Sequence, residues 1–487
     1  MTTRTPVVIV GAGPCGLTLA CELMSRGAAV RVLEAEPGPH RGSRAILLWP
    51  PALRIFGELG ILPEAERRGQ RVRSMHYHLP GGRRLDVPLG PPDAALLLPQ
   101  EQTGELLEAA LVALGGKVER ATTVTDVADG RDAVRLRASG PGGDEVIEAD
   151  WLVGADGVRS TVRARLGIGF PGARVGSTLL LAEGRIDGAL PPGGLHYFLG
   201  AAGSLVFAPM GPDRVRVSAA VSADVPLTAQ TVQDLLDERG PGGLRVSELA
   251  VITTFGSSER VASRLRSGRC FLVGDAAHTH SPLGGQGLNL GLQDVHNLGW
   301  KLAGVLDGRF DERVLASYEP ERRHAAERVV RTTSLLLKLF MVGPALARAR
   351  NAAWRALGSV GLLTHWFAPL LAGGRTRYPD VLPGARPRRR RGIASAALPR
   401  PGTRAPAWVP DAPAGARFRL LTTGSPNGSL ARAASATSDL VAREHVPRRG
   451  RGFVLLRPDG YVAASGVTTT DLGDAMRRIV LLSPASE

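Results

Sequence analysis

Residues 6–36 read PVVIVGAGPCGLTLACELMSRGAAVRVLEAE. The run PVVIV is apolar and β-branched, GAGPCG is a glycine turn, LTLACELMSRG carries apolar residues at helical spacing, and AVRVL is β-branched again. Strand, turn, helix and strand in that order predict a βαβ unit. Gly11, Gly13 and Gly16 form G-x-G-x-x-G in the turn, and Glu34 ends the second strand eighteen residues after Gly16. The first glycine permits the tight turn, the second lets backbone approach a pyrophosphate, and the third lets helix and strand pack closely. The free N–H groups of the helix N-terminus then face the phosphates. Glu34 is placed to accept hydrogen bonds from an adenosine ribose.

Outward from this unit the elements alternate. Residues 100–114 read as an amphipathic helix, and a strand near Ala149–Val153 runs into GADGVRSTVR at 154–163. Between about 175 and 255, alternating segments such as LHYFLG, SLVFAPM and RVRVSAAV predict a strand-rich insertion. RCFLVGDAAH is again strand then turn, LNLGLQDVHNLGWKLAGVL is a long helix, and helices are expected through Leu371. The apolar stretch Leu335–Ala347 reads as one buried helix, too short to span a bilayer. ARPRRRRG at 385–392 reads as a solvated linker, since like charges resist packing. Beyond it, RGFVLLRPDGYVAAS reads as a hairpin on a Pro-Asp-Gly turn within a small α/β domain.

The totals exclude several classes. A chain of 487 residues, 44% hydrophobic, buries a sizeable core. Its +15 formal charge is nearly all arginine, with lysine only at Lys117, Lys301 and Lys338, a skew that points to a GC-rich genome. The charge is dispersed and aromatics make up 5%, so no stacking platform for nucleic acid is expected. Cys15, Cys21 and Cys270 form no C-x-x-C pair, as in a reducing compartment. With no signal peptide or membrane span in view, the expectation is a cytoplasmic protein.

GDAAHTHSPLGGQGLNLGLQD, residues 274–294, raises the question of a metal: Asp275, His278 and His280 lie within six positions, and His296 follows. The spacing D-x-x-H-x-H names no metal. GGQGLN instead opens a helix whose backbone N–H groups converge on one spot. No metal site is expected, and His278 is expected to fix the loop backbone.

Together, GAGPCG with Glu34, GADGVRSTVR and GDAAHTHSPLGGQGLN resemble the flavoprotein aromatic hydroxylases, the family of para-hydroxybenzoate hydroxylase and of actinobacterial polyketide hydroxylases. The resemblance covers most of residues 6–340, and more weakly PGTRAPAWVP and LLRPDGYVAAS. It implies an α/β fold: a Rossmann-like FAD-binding domain, an inserted β-sheet substrate domain, and a C-terminal thioredoxin-like domain. The expected boundaries are 1–174 for the first FAD-binding part (with substrate-sheet strands near 70–98), 175–265 for the substrate domain, 266–384 for the second FAD-binding part and helices, 385–399 for the linker, and 400–487 for the last domain. No cysteine falls in 400–487, so dithiol chemistry is excluded there and a packing or dimer role is expected.

By resemblance, Gly11, Gly13, Pro14, Gly16 and Glu34 bind the ADP half of FAD, and Asp156 and Gly157 lie near its pyrophosphate. Asp275 bonds the ribityl chain, and Pro282 to Asn289, including Gly285, Gly287 and Leu288, wrap the flavin ring. Arg44 and Gln100 match further FAD contacts. Where the family often carries Arg-Thr-Leu-Glu, this chain has Pro51-Ala52-Leu53-Arg54 beside Trp49, and no role is transferred to them. The implied reaction is hydroxylation of an aromatic, polycyclic polyketide by FAD, NADPH or NADH, and O2 through a flavin C4a-hydroperoxide. The cofactor carries the hard chemistry, so no catalytic side chain is assigned. His196, Phe198 and Phe207 are candidate substrate contacts, and a monomer or homodimer is expected, with no nucleic-acid or membrane partner. A Baeyer–Villiger oxygenase, a C=C-saturating reductase and a flavin-bearing protein that binds an intermediate without turnover are alternatives on the same fold.

Overall fold

The computed structural model describes residues 3–39, 45–189, 193–200, 203–211, 214–342, 344–379, 398–404, 408, 417–425, 428–434, 439–447 and 450–484. Arg44 and most of the 385–399 basic segment lie outside the described residues.

Val7, Val8 and Ile9 have no exposed surface, because their strand is the centre of a parallel sheet covered on both faces. That strand, Thr3–Val10, lies between Gly143–Gly154 and Val30–Leu33 and pairs parallel with both. Val118–Glu119 extends the sheet on one side and Cys270–Leu272 on the other. The helix Pro14–Met24 makes the crossover between the first two strands and packs against the helices Gln100–Ala113 and Gly287–Leu306. This is a mixed α/β fold built on a parallel sheet, with the predicted βαβ unit at its centre.

A second, eight-stranded sheet runs in the order His278–Thr279, Arg245–Val261, Gly172–Asp187, Arg214–Val221, Ser204–Pro209, Leu195–Leu199, Ser74–Leu79 and Arg83–Pro88. Its pairings are antiparallel except that of Leu195–Leu199 with Ser74–Leu79. The C-terminal region forms a four-stranded sheet in the order Val441–His445, Phe418–Thr423, Gly452–Leu456, Val462–Gly466. Its last two strands are the expected hairpin, closed by Arg457 N–H to Tyr461 O and by Gly460 at φ +77°.

One expectation fails. Leu335–Ala347 is not a single buried helix: one helix ends at Phe340 and another begins at Pro344. Proline lacks the N–H that would continue the ladder and favours a helix's first turn. The stretch is also not uniformly buried, since Leu336, Leu337 and Phe340 are buried while Leu335, Met341 and Leu346 are exposed. Among the described residues, no helix is long and apolar enough to cross a membrane.

Candidate active site

The glycine turn is built by sterics. Gly11 has φ +105°, and a Cβ there would collide with the Ala155 carbonyl. A Cβ on Gly16 would collide with the Gly11 carbonyl. Around Gly13, by contrast, a Cβ meets no atom within 4 Å. Gly13 is the N-cap of Pro14–Met24, without a side-chain cap, and the first turn holds no acid. An open, uncapped helix N-terminus fits a pyrophosphate. Glu34 accepts hydrogen bonds from Ala12 N–H at 2.7 Å and Glu36 N–H at 3.0 Å. Its carboxylate therefore shapes the turn and is only half-buried, with lone pairs left for a further donor.

Asp156 follows Ala155, the residue against which Gly11 packs. Its Oδ1 accepts from Ser160 Oγ at 2.5 Å and its Oδ2 from Val162 N–H at 3.0 Å, so it braces the first turn of the helix Thr161–Arg165, whose N-cap is Ser160. Burial raises its pKa above the ordinary carboxylate value. Gly157, at φ +74°, completes the turn. Arg163 then donates to Ala276 O at 2.9 Å and ties this motif to the 274–277 turn.

In that second turn, Asp275 is exposed while its neighbours Gly274 and Ala276 are buried. The residue that holds it is Asp294, on the helix Gly287–Leu306. Asp294 accepts from Gly274 N–H at 3.0 Å, from His278 Nε2 at 2.7 Å and from Arg322 Nε at 2.7 Å. His280 Nδ1 lies 2.7 Å from Ser281 O, and burial lowers its pKa to about 4. His296 Nδ1 lies 2.7 Å from Glu22 Oε1. Each imidazole thus has a partner of its own, and His278 ties its loop to a helix.

Gly284 and Gly285 adopt φ +81° and +60°, and a Cβ on Gly285 would lie 2.9 Å from the Leu47 Cβ. Asn289, in the first helical turn after Gly287 and Leu288, accepts from Trp49 N–H and donates to Leu47 O and Gly285 O, each at 2.7 Å. Trp49 Nε1 also donates to Gly284 O at 2.9 Å. The Trp49 and Asn289 clamp joins residues 240 apart in sequence, a separation no local pattern reports. Gln100 opens its helix and accepts from Ala45 N–H at 3.3 Å.

Above this loop lies a cavity of about 430 Å³. Pro282, Leu283, Gly284 and Gly285 line one side, the sheet residues Leu179, Leu181, Leu195, Tyr197, Val206 and Ala208 another, and Leu337 and Phe340 a third. Arg216 also lines it, and its Nε donates to Glu183 Oε1 at 2.7 Å. Burial pushes Tyr197 up to about 12, so its hydroxyl stays protonated at neutral pH.

The expected substrate contacts lie elsewhere than this cavity. His196, Phe198 and Phe207 do not line the cavity; their neighbours Leu195, Tyr197, Val206 and Ala208 do. Strand side chains alternate between faces, and Phe198 and Phe207 pack with Val232, Leu235 and Leu236 of the helix Ala229–Arg239 on the other face. His196 bonds His78 Nε2 at 2.9 Å and Gly193 O at 2.6 Å, and burial holds its pKa down to about 4. All five residues of Leu195–Leu199 are buried, so no polar alternation in the sequence marks the cavity face.

These features define a class. The FAD binding domain family model matches residues 4–333, and the chain belongs to that family, the class A flavoprotein aromatic hydroxylases. It is a flavin-dependent monooxygenase that uses FAD and O2. The 6-methylpretetramide 4-monooxygenase of Streptomyces rimosus is 33% identical over 526 residues, covering 98% of this chain and 94% of that one. The solved OxyS anhydrotetracycline hydroxylase of the same species superposes with a TM-score of 0.80 at 31% identity, over 99% of this chain and 100% of that one. A dialkyldecalin synthase of Streptomyces rugosporus is 34% identical over 370 residues, 73% of this chain and 74% of that one.

Proposed function

We propose that this chain hydroxylates a polycyclic aromatic polyketide, with NADPH or NADH as reductant. The carrying observation is the 430 Å³ cavity, mostly apolar on its sheet face, with Arg216 among its lining, and bounded opposite by the Pro282–Gly285 loop. Its size falls in the range of small-molecule sites, roughly 300–1,000 Å³. The similar proteins named for 6-methylpretetramide and anhydrotetracycline support the same substrate class.

When bound, FAD supplies the redox and oxygen-transfer chemistry. In this reading the chain's residues bind, orient and exclude water. Gly11, Gly13, Pro14 and Gly16 present the helix N-terminus to the pyrophosphate, with Asp156 and Gly157 beside it. Glu34 accepts from the adenosine ribose, and Asp275 from the ribityl chain. Arg44 and Gln100 are further contacts. Pro282 to Asn289, through Gly285, Gly287 and Leu288, face the flavin ring with backbone N–H groups that favour negative charge. The sheet around Leu195 and Val206 is the substrate domain, and Arg216, paired with Glu183, places a fixed polar group in the cavity wall. The 400–487 region is a thioredoxin-like domain with a packing or dimer-contact role, and the protein is a cytoplasmic monomer or homodimer acting on a small molecule.

The test is NAD(P)H oxidation by FAD-loaded protein with a panel of polycyclic phenols and ketones under ¹⁸O₂. Ligand-stimulated oxidation with one labelled oxygen as a new hydroxyl is the expected result. A labelled lactone or ester instead makes it a Baeyer–Villiger oxygenase. The other alternative is a flavin-bearing protein that binds an intermediate without turnover. Ligand binding with neither stimulated oxidation nor label would establish that reading.

A further inference from the structure

The helix Gly287–Leu306 carries buried polar residues at every fourth position: Asn289, Gln293, Asn297 and Lys301. Residues four apart lie on one helix face, so these four make a polar stripe through an apolar core. At its N-terminal end, Asn289 holds the Trp49 and Gly285 backbone. Gln293 donates to Asn289 O at 3.0 Å, and Arg404 Nη2 donates to Gln293 Oε1 at 3.3 Å. Asn297 Nδ2 donates to Glu321 at 2.7 Å and to Asp459 at 3.3 Å. Lys301 Nζ donates to Asn297 Oδ1 at 2.8 Å and Glu321 Oε2 at 3.0 Å.

The partners at the other end come from the C-terminal region. Arg457 and Asp459, from the hairpin turn, close the cluster: Arg457 donates to Glu321 Oε1 at 2.5 Å and to Asp459 Oδ1 at 3.0 Å. All four charges are buried, Lys301 and Glu321 with no exposed surface and Arg457 and Asp459 at 1% and 2%. Two cations meet two anions, and the hairpin turn supplies one of each, so only with it in place does every charge of the cluster have its full set of partners. Tyr461, two residues on, stacks on Tyr378 at 4.0 Å between centroids. Tyr378 OH accepts from Arg322 at 2.8 Å, and Arg322 donates to Asp294, which holds the Asp275 turn. Two routes therefore run from the hairpin turn to the segments assigned to FAD.

We infer that the C-terminal hairpin, through Asp459 and Arg457 and through Arg404 bridged to its Tyr461, sets the position of the 287–306 helix, and so acts as a positioning element for FAD. The inference rests on the assignment of the 275–289 segment to the flavin. Buried polar networks hold one arrangement when every member is satisfied and lose it when one is not.

The test titrates apo-protein with FAD, reading flavin fluorescence and the visible absorption band of the bound flavin, with circular dichroism and Tm on each sample. Asp459→Asn keeps the shape and removes the charge, and Arg404→Met keeps the stem and removes the donor to Gln293. Both are expected to weaken FAD by about three- to thirty-fold and to shift the bound-flavin band, at a temperature where the protein is fully folded. Arg477→Ala, at an exposed position of the same C-terminal region, is expected to match wild type. Folded Asp459→Asn or Arg404→Met with wild-type FAD affinity and spectrum overturns the inference, as does a lowered Tm with unchanged FAD binding. If Asp459→Asn does not fold, Arg404→Met decides by the same criteria. Asp275→Ala separates the underlying assignment: losing a charged acceptor to the ribityl chain should cost FAD binding by about ten- to a hundred-fold. Wild-type FAD affinity in that variant refutes the flavin assignment instead.

Discussion

Replacing Asp294 by asparagine tests the physical account of the 274–277 turn most directly. Asp294 has no exposed surface, and three donors converge on its carboxylate: Gly274 N–H, His278 Nε2 and Arg322 Nε. Asparagine offers one oxygen and one NH₂, so at least one donor meets another donor. Arg322, also without exposed surface, keeps Tyr378 OH and Leu290 O but loses its countercharge. Breaking one side of a buried ion pair costs about 3–5 kcal/mol, against a typical total of about 5–15 kcal/mol. Urea unfolding of the apo-protein at neutral pH, followed by far-ultraviolet circular dichroism, measures it. A loss below about 1 kcal/mol would refute the claim that a carboxylate charge holds this turn, since that is within the range of a neutral hydrogen bond. The same carboxylate predicts an acid limb. Burial opposes ionisation, but His278 and Arg322 hold Asp294 below 3.8, and Arg457 brings Asp459 to about 2 in the same way. Their stabilisation is complete above pH 3.8 and drains away as pH falls through the native values.

Gly16→Ala and Gly13→Ala should behave oppositely: the first collides with the Gly11 carbonyl and costs stability, the second meets no protein atom and keeps it while weakening FAD. Thermal melts paired with flavin titrations distinguish them, and equal melting losses would contradict the open cradle at Gly13. Val206→Trp should fill the cavity and suppress ligand-stimulated NAD(P)H oxidation. Phe198→Leu, on the opposite face, should cost about 1 kcal/mol of packing with KM unchanged; a raised KM in Phe198→Leu would return the substrate to that face. His296 should give an alkaline limb, because Glu22 and Glu58 raise its pKa above 6.5 despite burial. Its stabilisation is full below pH 6.5 and is lost as pH rises through the native value. His296→Gln should flatten that slope in pH-dependent urea midpoints.

What the sequence could reveal follows the range of each interaction. The turn at Gly11–Gly16 is fixed by contacts between neighbours in the chain, and the glycine spacing displays them. The substrate face depends on which side of Leu195–Leu199 meets a helix and which meets the cavity, and an all-buried strand hides that choice. Trp49 earned no role in sequence because its partners, Asn289 and Gly284, come from the far side of the chain. Arg216 and Glu183 are neighbours only through strand register. The four-residue spacing of Asn289, Gln293, Asn297 and Lys301 was visible in a helix whose other polar residues are Asp294 and His296, and it is the signal by which the buried stripe is found.

The Arg457–Glu321 contact joins residues 136 apart, which gives biosynthesis an order. During translation, Lys301 and Glu321 emerge long before the arginine and aspartate that complete their cluster. At about 5–20 residues per second the interval is roughly 7–27 s. Through that interval the nascent chain carries its glycine turn and the start of the long helix, but not the last charges of the helix's buried face. The ribosome thus delivers the final part of this core long after the helix that it completes.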